Sequence, residues 1–411
     1  MEWFLILLFL FVITSLLNTN NGLFNVNFLV MGPFVILIVI NNWFAARYGF
    51  YTINNDVITI TAFVIILFYT GSLFCRFILG QSIVKQSINK DYQLNIKLIK
   101  VYVVIVLLLR LVELLIKFFT GGLAYMTSND FETMRLNGPI GHLFISAYPL
   151  LAVLFYNGLK EKNKINILIV SLGIFLAFLS FTKYHVISMV LLIYLYISFK
   201  NKVYFLKGGI ITLVSVIALF ILGYLGSFLI KDSNVDALFY PYHTWGYIAG
   251  GTINFNLITT QGLSGYNIID WLINSFMALP NMFINYFYGH SINPEYIELG
   301  FRQIGNYYGQ SPISSNVVNF IGLTYALENI LLFILIMFLL GFISEFIFNL
   351  AVYRKEENLK LFASVFMTFC LLLFFGNYFS LSMTWELLIY SFLLPGLFKK
   401  RRNIKNNLII R

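Results

Sequence analysis

Long apolar runs separated by short polar segments cover most of the chain. A helix that crosses a bilayer needs about 20 predominantly apolar residues, with a range of about 17–25. Eleven runs meet this length to within a few residues, and they lie at 2–18, 26–43, 56–80, 97–118, 140–159, 165–182, 184–199, 208–230, 322–350, 358–376 and 381–398. The first run has no basic residue before it and no small-residue cleavage site after it, which favours a retained span over a signal peptide. The pattern predicts an all-α polytopic integral membrane protein with about eleven transmembrane helices, in a range of about 10–12.

The composition agrees with this prediction and excludes the main soluble classes. Of 411 residues, 59% are apolar and 11% are charged, and the mean hydropathy is +0.83. An average soluble domain is about 45–50% apolar and about 25% charged. The polar surface is too small to cover a water-soluble body. Both cysteines, Cys75 and Cys370, lie inside apolar runs, which excludes a disulfide framework and a cysteine-based zinc site.

The basic residues predict the orientation of the chain. The tail at 399–411 holds six of them and should be cytoplasmic by the positive-inside rule. Counting back through the spans places 20 of the 27 Lys and Arg residues on that side and the N-terminus outside. The net charge of +10 is therefore interpreted as a sign of orientation and of contact with anionic lipid. It does not indicate nucleic-acid binding, because no basic residues cluster with stacking aromatics on a soluble face.

Two long segments lie on the predicted outer side. They are 119–139, and 231–321 before the last three spans. Such loops are uncommon in compact proteins unless they are functional, and an enzyme acting at the outer surface needs one for chemistry above the lipid. The aromatic stretch 270–289 is expected to be an interfacial helix, with a twelfth span or a re-entrant pair as open alternatives. The predicted division is a bundle at 1–230, an outer loop containing short helices at 231–321, three spans at 322–398 and the tail at 399–411.

Beyond Lys97 and Lys100 at its cytoplasmic end, the fourth predicted span contains three further charged residues. Arg110, Glu113 and Lys117 are spaced i, i+3, i+7 and therefore share one helical face. A charge in the hydrocarbon costs at least about 2.5–3.5 kcal/mol on insertion scales, so such residues are functional candidates. The trio is either a self-neutralising ladder of ion pairs or a cationic stripe beside an anion cavity, and the pattern leaves both open.

Three outer basic residues form a second group of candidates. Arg135 lies in the first long loop, Lys183 in the turn FTKYH and Arg302 in LGFRQIG. If they converge, they would hold a pyrophosphate well, because arginine binds phosphate oxygens bidentately and lysine adds a point charge. The alternatives are an exposed loop arginine and a lysine that snorkels to the interface.

Histidines and carboxylates on the outer side are candidate general bases. Histidine serves this role near neutral pH. The preferred candidates are His243 and His290 in the long loop, and Glu328 near the outer end of its span. Similar positions are occupied by His142, His185 and Glu386.

Other motifs add little to the candidate chemistry. Asp130 and Glu132 form a D-x-E that could hold a divalent cation, but a three-residue pattern is weak and we expect no metal site. A Walker loop, H-E-x-x-H and G-x-S-x-G are absent from the sequence. The glycine-rich YIAGGTINFN favours close helix approach over nucleotide binding.

At this point the chain resembles the O-antigen polymerase (Wzy-type) family of oligosaccharide repeat-unit polymerases. The shared layout is many spans, a moderate outer loop, one large outer loop before the last three spans, and a basic tail. FETMRLNGPIG resembles the arginine-bearing first loop of the family and places Arg135. FLSFTKYHVISMVLLIYL resembles the polar turn before an apolar span, with Lys183 where arginine is common. SSNVVNFIGLTYALENILLFILIMFLLGFI resembles the segment after the large loop, where Glu328 takes the place of a frequent acidic residue.

The resemblance implies a GT-C-like membrane glycosyltransferase without metal or cofactor. It would move a glycan from undecaprenyl pyrophosphate to the non-reducing end of a lipid-linked repeat unit, at the outer face of the bacterial cytoplasmic membrane. Membrane lipids and a chain-length regulator protein would be its other partners. Pyrophosphate leaves readily, so the reaction needs cations for the departing charge and a base for the acceptor hydroxyl. The cation candidates are Arg135, Lys183 and Arg302, followed by Arg110, and the base candidates are His243, His290 and Glu328.

Three other functions compete with this interpretation. A lipid-linked oligosaccharide flippase or other transporter predicts internal repeats and evenly short loops. A metal-dependent GT-C transferase would use Asp130 and Glu132 as ligands. A membrane O-acyltransferase would need one histidine poised for acyl transfer, and the sequence singles out none.

Overall fold

The structure is a computed structural model that describes residues 2–17, 22–85, 93–126, 138–180, 183–231, 239–262, 267–289, 301–307, 311–354 and 356–400. Helices dominate the described part of the chain. In order they are α1 (Glu2–Leu16), α2 (Val26–Trp43), α3 (Asn55–Lys85), α4 (Ile96–Met126), α5 (Pro139–Lys160), α6 (Lys164–Phe178), α7 (Lys183–Lys200), α8 (Tyr204–Lys231), α9 (Phe239–Gln261), α10 (Ile268–Phe276), α11 (Ala278–Tyr288), α12 (Phe320–Tyr325), α13 (Ile330–Tyr353), α14 (Glu357–Leu371) and α15 (Ser382–Leu397).

Two short antiparallel sheets complete the described elements. In one, β1 (Gln93–Leu94) pairs with β4 (Lys399–Lys400). In the other, β2 (Arg302–Tyr307) pairs with β3 (Ser311–Ser315).

The apolar helices confirm a helical membrane protein. Five segments of the described chain are long and apolar enough to cross a bilayer, namely Val26–Trp43, Asn55–Ile78, Pro139–Lys160, Ile330–Tyr353 and Glu357–Phe374. Shorter apolar helices cover Glu2–Leu16, Lys164–Phe178, Tyr184–Lys200 and Tyr204–Leu219. The predicted total of eleven spans stays a prediction.

Two regions differ from the sequence-based expectation. The predicted span 322–350 is interrupted, because α12 ends at Tyr325 and α13 begins at Ile330 with Glu328 in the left-handed region between them (φ 52°). The segment 231–321 holds the short helices expected there, and also the 23-residue helix α9 and the β2–β3 hairpin. Apolar content alone does not show a break between two helices within one apolar run, or the pairing of two polar strands.

The chain divides into two compact units. The first comprises residues 1–80, 217–348 and 366–385, and the second comprises 81–216, 349–365 and 386–411. Each unit is therefore assembled from segments distant in sequence.

In the first unit, α3 and α13 cross in direct backbone contact at two glycines. A Cβ on Gly71 would lie 2.1 Å from the carbonyl oxygen of Phe338, and a Cβ on Gly341 would lie 2.0 Å from that of Phe68. Small residues at a crossing allow such close approach, and the dispersion and backbone contacts then stabilise helix pairs in a membrane. The crossing therefore requires glycine at both positions.

A buried ion pair lies one turn beyond this crossing. Arg76 of α3 donates from Nε to Oε1 of Glu345 at 2.8 Å and from Nη2 to Oε2 at 3.1 Å. Ser72 donates its hydroxyl to the same Oε2 at 2.6 Å. A buried carboxylate is costly unless it is paired and hydrogen-bonded. The fork of Arg76 and the Ser72 hydroxyl supply these interactions and hold α3 against α13.

We expect Ser72→Ala to lower the free energy of unfolding by about 1.5–3 kcal/mol, the range for a hydrogen bond to a charged group. The matched control is Ser215→Ala, whose hydroxyl bonds only its own helix at Ile211 O in an exposed position. We expect this control to change stability by no more than about 0.5 kcal/mol. Thermal unfolding in detergent measures both, and equal effects would contradict the assigned role of Ser72.

The β2–β3 hairpin of the first unit is held by the chain after α2 and by α9. The amide of Tyr51 donates to Ile304 O and that of Asn306 to Gly49 O, both at 2.9 Å, so residues 49–51 extend the sheet. On α9, a Cβ at Gly250 would lie 2.4 Å from Ser315 Oγ, and a Cβ at Gly251 would lie 2.5 Å from the carbonyl oxygen of Phe375. The glycines of YIAGGTINFN therefore allow close approach, but to β3 and to the chain after α14 and not to another helix.

In the second unit, the buried helix α5 packs against α4, α6 and α7. Pro139 occupies the first turn of α5, where its missing N–H removes no intrahelical hydrogen bond. At the C-terminal end of α7, Lys200 forms an ion pair with Glu357 of α14. Tyr196, one turn earlier on α7, donates its hydroxyl to the same carboxylate at 2.6 Å. These contacts fix the helices that carry the candidate site.

Candidate functional site

The charged trio of Arg110, Glu113 and Lys117 lies on one face of α4, as its spacing predicts. Nη1 of Arg110 donates to Oε2 of Glu113 at 2.5 Å, and Nζ of Lys117 donates to Oε1 at 2.8 Å. The side chain of Arg110 is fully buried, whereas those of Glu113 and Lys117 are 16% and 21% exposed. Two cations therefore converge on one carboxylate in a group of net charge +1.

Other helices of the second unit complete the surroundings of Arg110. Its Nη2 donates to the hydroxyl of Ser180, just after α6, at 2.8 Å. Its guanidinium carbon lies 5.7 Å from the ring centroid of Phe144 on α5. A hydroxyl, a carboxylate and an aromatic face together replace the water that a buried guanidinium loses. The sequence predicts neither Ser180 nor Phe144 as a neighbour, because they are 70 and 34 residues from Arg110.

The ladder predicted as one alternative is confirmed as a set of contacts. This pairing leaves open the other alternative, a cationic stripe beside an anion cavity, because the trio keeps one positive charge in excess. An anionic group is the neighbour that this excess favours.

Aromatic residues extend from the trio along α5. Tyr148 packs edge-on against Phe144, with ring centroids 5.3 Å apart, and against His185 of α7 at 6.4 Å. The Tyr148 hydroxyl is buried and has no hydrogen-bond partner within the described residues. His185, predicted at the outer rim, is buried in this aromatic packing.

A histidine and a carboxylate meet at the beginning of α5 and α15. Nδ1 of His142 lies 2.8 Å from Oε2 of Glu386. The His142 side chain is 31% exposed and that of Glu386 is 6% exposed. Oε1 of Glu386 is buried and has no hydrogen-bond partner in the part of the chain that the structure describes. We refer to these two residues as the His–Glu pair.

A second polar contact lies one turn further along α5. The hydroxyls of Tyr102 on α4 and Ser146 on α5 are 2.6 Å apart, and Ser146 is four residues after His142 on the same helical face. On α15, Tyr390 follows Glu386 by four residues and therefore lies on the same helical face. The His–Glu pair and the Tyr102–Ser146 contact form a small polar cluster between α4, α5 and α15.

The candidate residues from the sequence fall in different parts of the chain. Arg110 and Lys183 belong to the second unit, and Lys183 is the first residue of α7. Arg135 and His290 lie outside the described residues. The structure therefore gives no geometry for the proposed convergence of the outer basic residues.

The remaining candidates belong to the first unit. Arg302 begins β2, and its Nη1 is buried without a hydrogen-bond partner among the described residues. His243 is exposed in the first part of α9. Glu328 is exposed between α12 and α13, and its Oε1 lies 2.7 Å from where a Cβ on Gly262 would stand.

The backbone of Glu328 is strained. A positive φ in a non-glycine residue costs of the order of 1–3 kcal/mol and persists where surrounding structure requires it. Here the amide of Glu328 donates to Tyr325 O at 3.2 Å, and the following Asn329 accepts from Leu332 N at 3.1 Å to cap α13. The two helix ends therefore account for the conformation without a catalytic role.

No group of three His, Cys, Asp or Glu side chains that could hold a metal ion occurs in the described ranges. Asp130 and Glu132, the two residues of the D-x-E pattern, are outside those ranges.

The sequence identified both members of the His–Glu pair as outer polar residues and did not pair them. Their positions are 244 residues apart. The available signal was that each lies in the first turns of a span predicted to begin on the outer side. The contact between Arg76 and Glu345 was even less evident from the sequence, because Arg76 was assigned to a cytoplasmic segment.

Comparison of the chain with protein-family models, with curated proteins and with solved structures finds no match.

Proposed function

We propose that this protein is a membrane glycosyltransferase that polymerises lipid-linked oligosaccharide repeat units of the O-antigen or capsule type. The donor is a glycan on undecaprenyl pyrophosphate, and the acceptor is the non-reducing end of one lipid-linked repeat unit. The reaction takes place at the outer face of the bacterial cytoplasmic membrane, with the C-terminus in the cytoplasm. The architecture is GT-C-like.

The charged trio is the observation that carries the proposal. Its fully buried arginine and partly exposed lysine share one carboxylate, and the group has a net charge of +1. Electrostatic stabilisation of developing charge is usually the largest contribution to catalysis of this kind. Arginine and lysine so placed suit a lipid pyrophosphate whose negative charge grows as it departs.

The orientation predicted from basic residues supports the same assignment. Lys117 lies towards the outer end of the fourth predicted span, and His142 and Glu386 lie in the first turns of spans that start outside. Lys200 and Glu357 pair at the predicted cytoplasmic ends of α7 and α14. The candidate residues described in the second unit thus lie towards its predicted outer side.

The test is the length distribution of surface glycan in the native host after deletion and restoration of this gene. A polymerase predicts that deletion reduces the ladder of lengths to carriers capped with one repeat, and that restoration rebuilds it. Loss of all surface glycan with lipid-linked repeats retained inside would instead identify a flippase. Loss of polymerisation on chelation would favour the metal-dependent transferase.

We expect Arg302→Ala and Arg135→Ala to leave the protein inserted in the membrane and to abolish the ladder. The buried Nη1 of Arg302, without a partner within the described residues, is available for a phosphate oxygen. Lys183→Arg should be tolerated if this residue binds phosphate, since the charge is kept. The matched control is Arg354→Ala, at a residue outside the proposed phosphate site whose Nη1 lies 3.9 Å from Oε1 of Glu356. Full ladders in both alanine variants would refute this assignment of phosphate-binding residues.

A further inference from the structure

The His–Glu pair has the geometry of a general base held in place by a carboxylate. An ionised carboxylate can only accept hydrogen bonds. Oε2 of Glu386, 2.8 Å from Nδ1 of His142, therefore places the imidazole proton on Nδ1 and leaves the lone pair on Nε2. With 31% of the His142 side chain exposed, the ring is reachable by a substrate hydroxyl.

The second carboxylate oxygen points to a missing hydrogen-bond donor. Oε1 of Glu386 is buried and lacks a partner among the described residues, although the residue is 5% exposed. A buried acceptor left unsatisfied costs about 1–3 kcal/mol, and more when it is charged. A hydroxyl-rich ligand such as a sugar would satisfy it beside the histidine.

We propose that His142 is the general base for the acceptor hydroxyl and that Glu386 is its positioning residue. This inference rests on the proposed polymerase function and names the base for that reaction. It replaces His243, His290 and Glu328 in that role. Of these three, His243 and Glu328 belong to the described residues, and both are exposed.

The reaction balances with the groups named. As the acceptor oxygen forms its bond to the anomeric carbon of the donor, its proton passes to Nε2 of His142. The bond between that carbon and the pyrophosphate oxygen breaks, and its electron pair leaves with the lipid pyrophosphate. Glu386 stabilises the resulting imidazolium, which then releases its proton to water.

The pair and the trio lie at a similar depth along α5. Arg110 contacts Phe144, which is two residues after His142 and therefore only about 3 Å away along the α5 axis. The proposed base and the proposed pyrophosphate-binding cation therefore lie at one level of the second unit.

The experiment uses full-length protein added to membranes from the native host lacking the gene, which supply its own lipid-linked repeats. The rate of chain lengthening is measured on gels. We expect His142→Asn, which keeps an N–H donor for Glu386 and removes the base, to lower turnover about 10²–10⁴-fold. His142→Ala should be equally slow and be partly rescued by added imidazole. Glu386→Gln should lower kcat without raising KM, whereas Glu356→Gln, just before α14 and with 41% of its side chain exposed, should match the wild type.

Several outcomes would overturn the inference. These are a wild-type rate in His142→Asn, no imidazole rescue of a folded His142→Ala, or a Glu386→Gln effect confined to KM. A loss of turnover in His243→Gln with none in His142→Asn would assign the role of general base to His243 on α9. If the wild-type protein lengthens no chains, the proposed function fails and the inference fails with it. Normal wild-type activity with an active His142→Asn variant overturns the inference alone.

Discussion

We expect Gly341→Leu to prevent accumulation of folded protein. The Cβ alone would lie 2.0 Å from Phe68 O and 2.8 Å from Phe68 C, and both are backbone atoms that no rotamer change can move. Adding volume to a packed core typically costs about 1–3 kcal/mol when side chains can adjust. Here the helices themselves must separate, which would also pull Arg76 from Glu345. The expected loss of stability therefore exceeds about 1–3 kcal/mol.

Gly396→Leu is the matched control for this prediction. Gly396 is also helical, near the end of α15, but a Cβ there meets no atom within 4 Å. Size-exclusion chromatography of detergent-solubilised protein should show a single sharp peak for Gly396→Leu and aggregation for Gly341→Leu. A sharp peak and an unchanged Tm for Gly341→Leu would show that α3 and α13 do not cross as described.

The second large effect is expected from Arg110→Met. This change removes the fully buried guanidinium and leaves Glu113 with Lys117 as the remaining member of the trio. Breaking one side of a buried ion pair costs about 3–5 kcal/mol when the other charge is left unpaired. Glu113 is 16% exposed and keeps Lys117, so we expect a loss of stability below that range. We also expect loss of glycan polymerisation, since the proposed pyrophosphate site loses its buried cation.

Two further variants separate stability from function at this site. Arg110→Met/Glu113→Gln should recover part of the lost stability, because the carboxylate charge is removed as well, while polymerisation stays absent. Arg354→Met, which removes the 3.9 Å contact with Glu356 outside the proposed site, should leave the ladder intact. Polymerisation by the double variant at the wild-type rate would refute a phosphate-binding role for Arg110.

The helices could be predicted well from the sequence because their signal is local. Each apolar run reflects the need of a chain in lipid to satisfy its own backbone hydrogen bonds, which a helix does within one segment. The predicted span 26–43 coincides with α2, and 140–159 lies within one residue of α5 at each end. The prediction failed at 322–350, where a turn at Glu328 divides one apolar run into two helices.

The candidate site was predictable only in part. The spacing of Arg110, Glu113 and Lys117 was sufficient to place them on one face, because i, i+3 and i+7 contacts belong to a single helix. The meeting of His142 with Glu386, and of Arg76 with Glu345, was not, because each pair joins helices more than 240 residues apart.

By itself, the sequence determined that this is a helical membrane protein, where most of its helices lie, and which side chains carry charge into them. Only the tertiary structure decided which of those charges meet, and that α3 and α13 touch through glycine backbones. The physical reason is that helix formation depends on neighbours within one turn, whereas helix pairing depends on the complementary shape and polarity of surfaces contributed by distant segments.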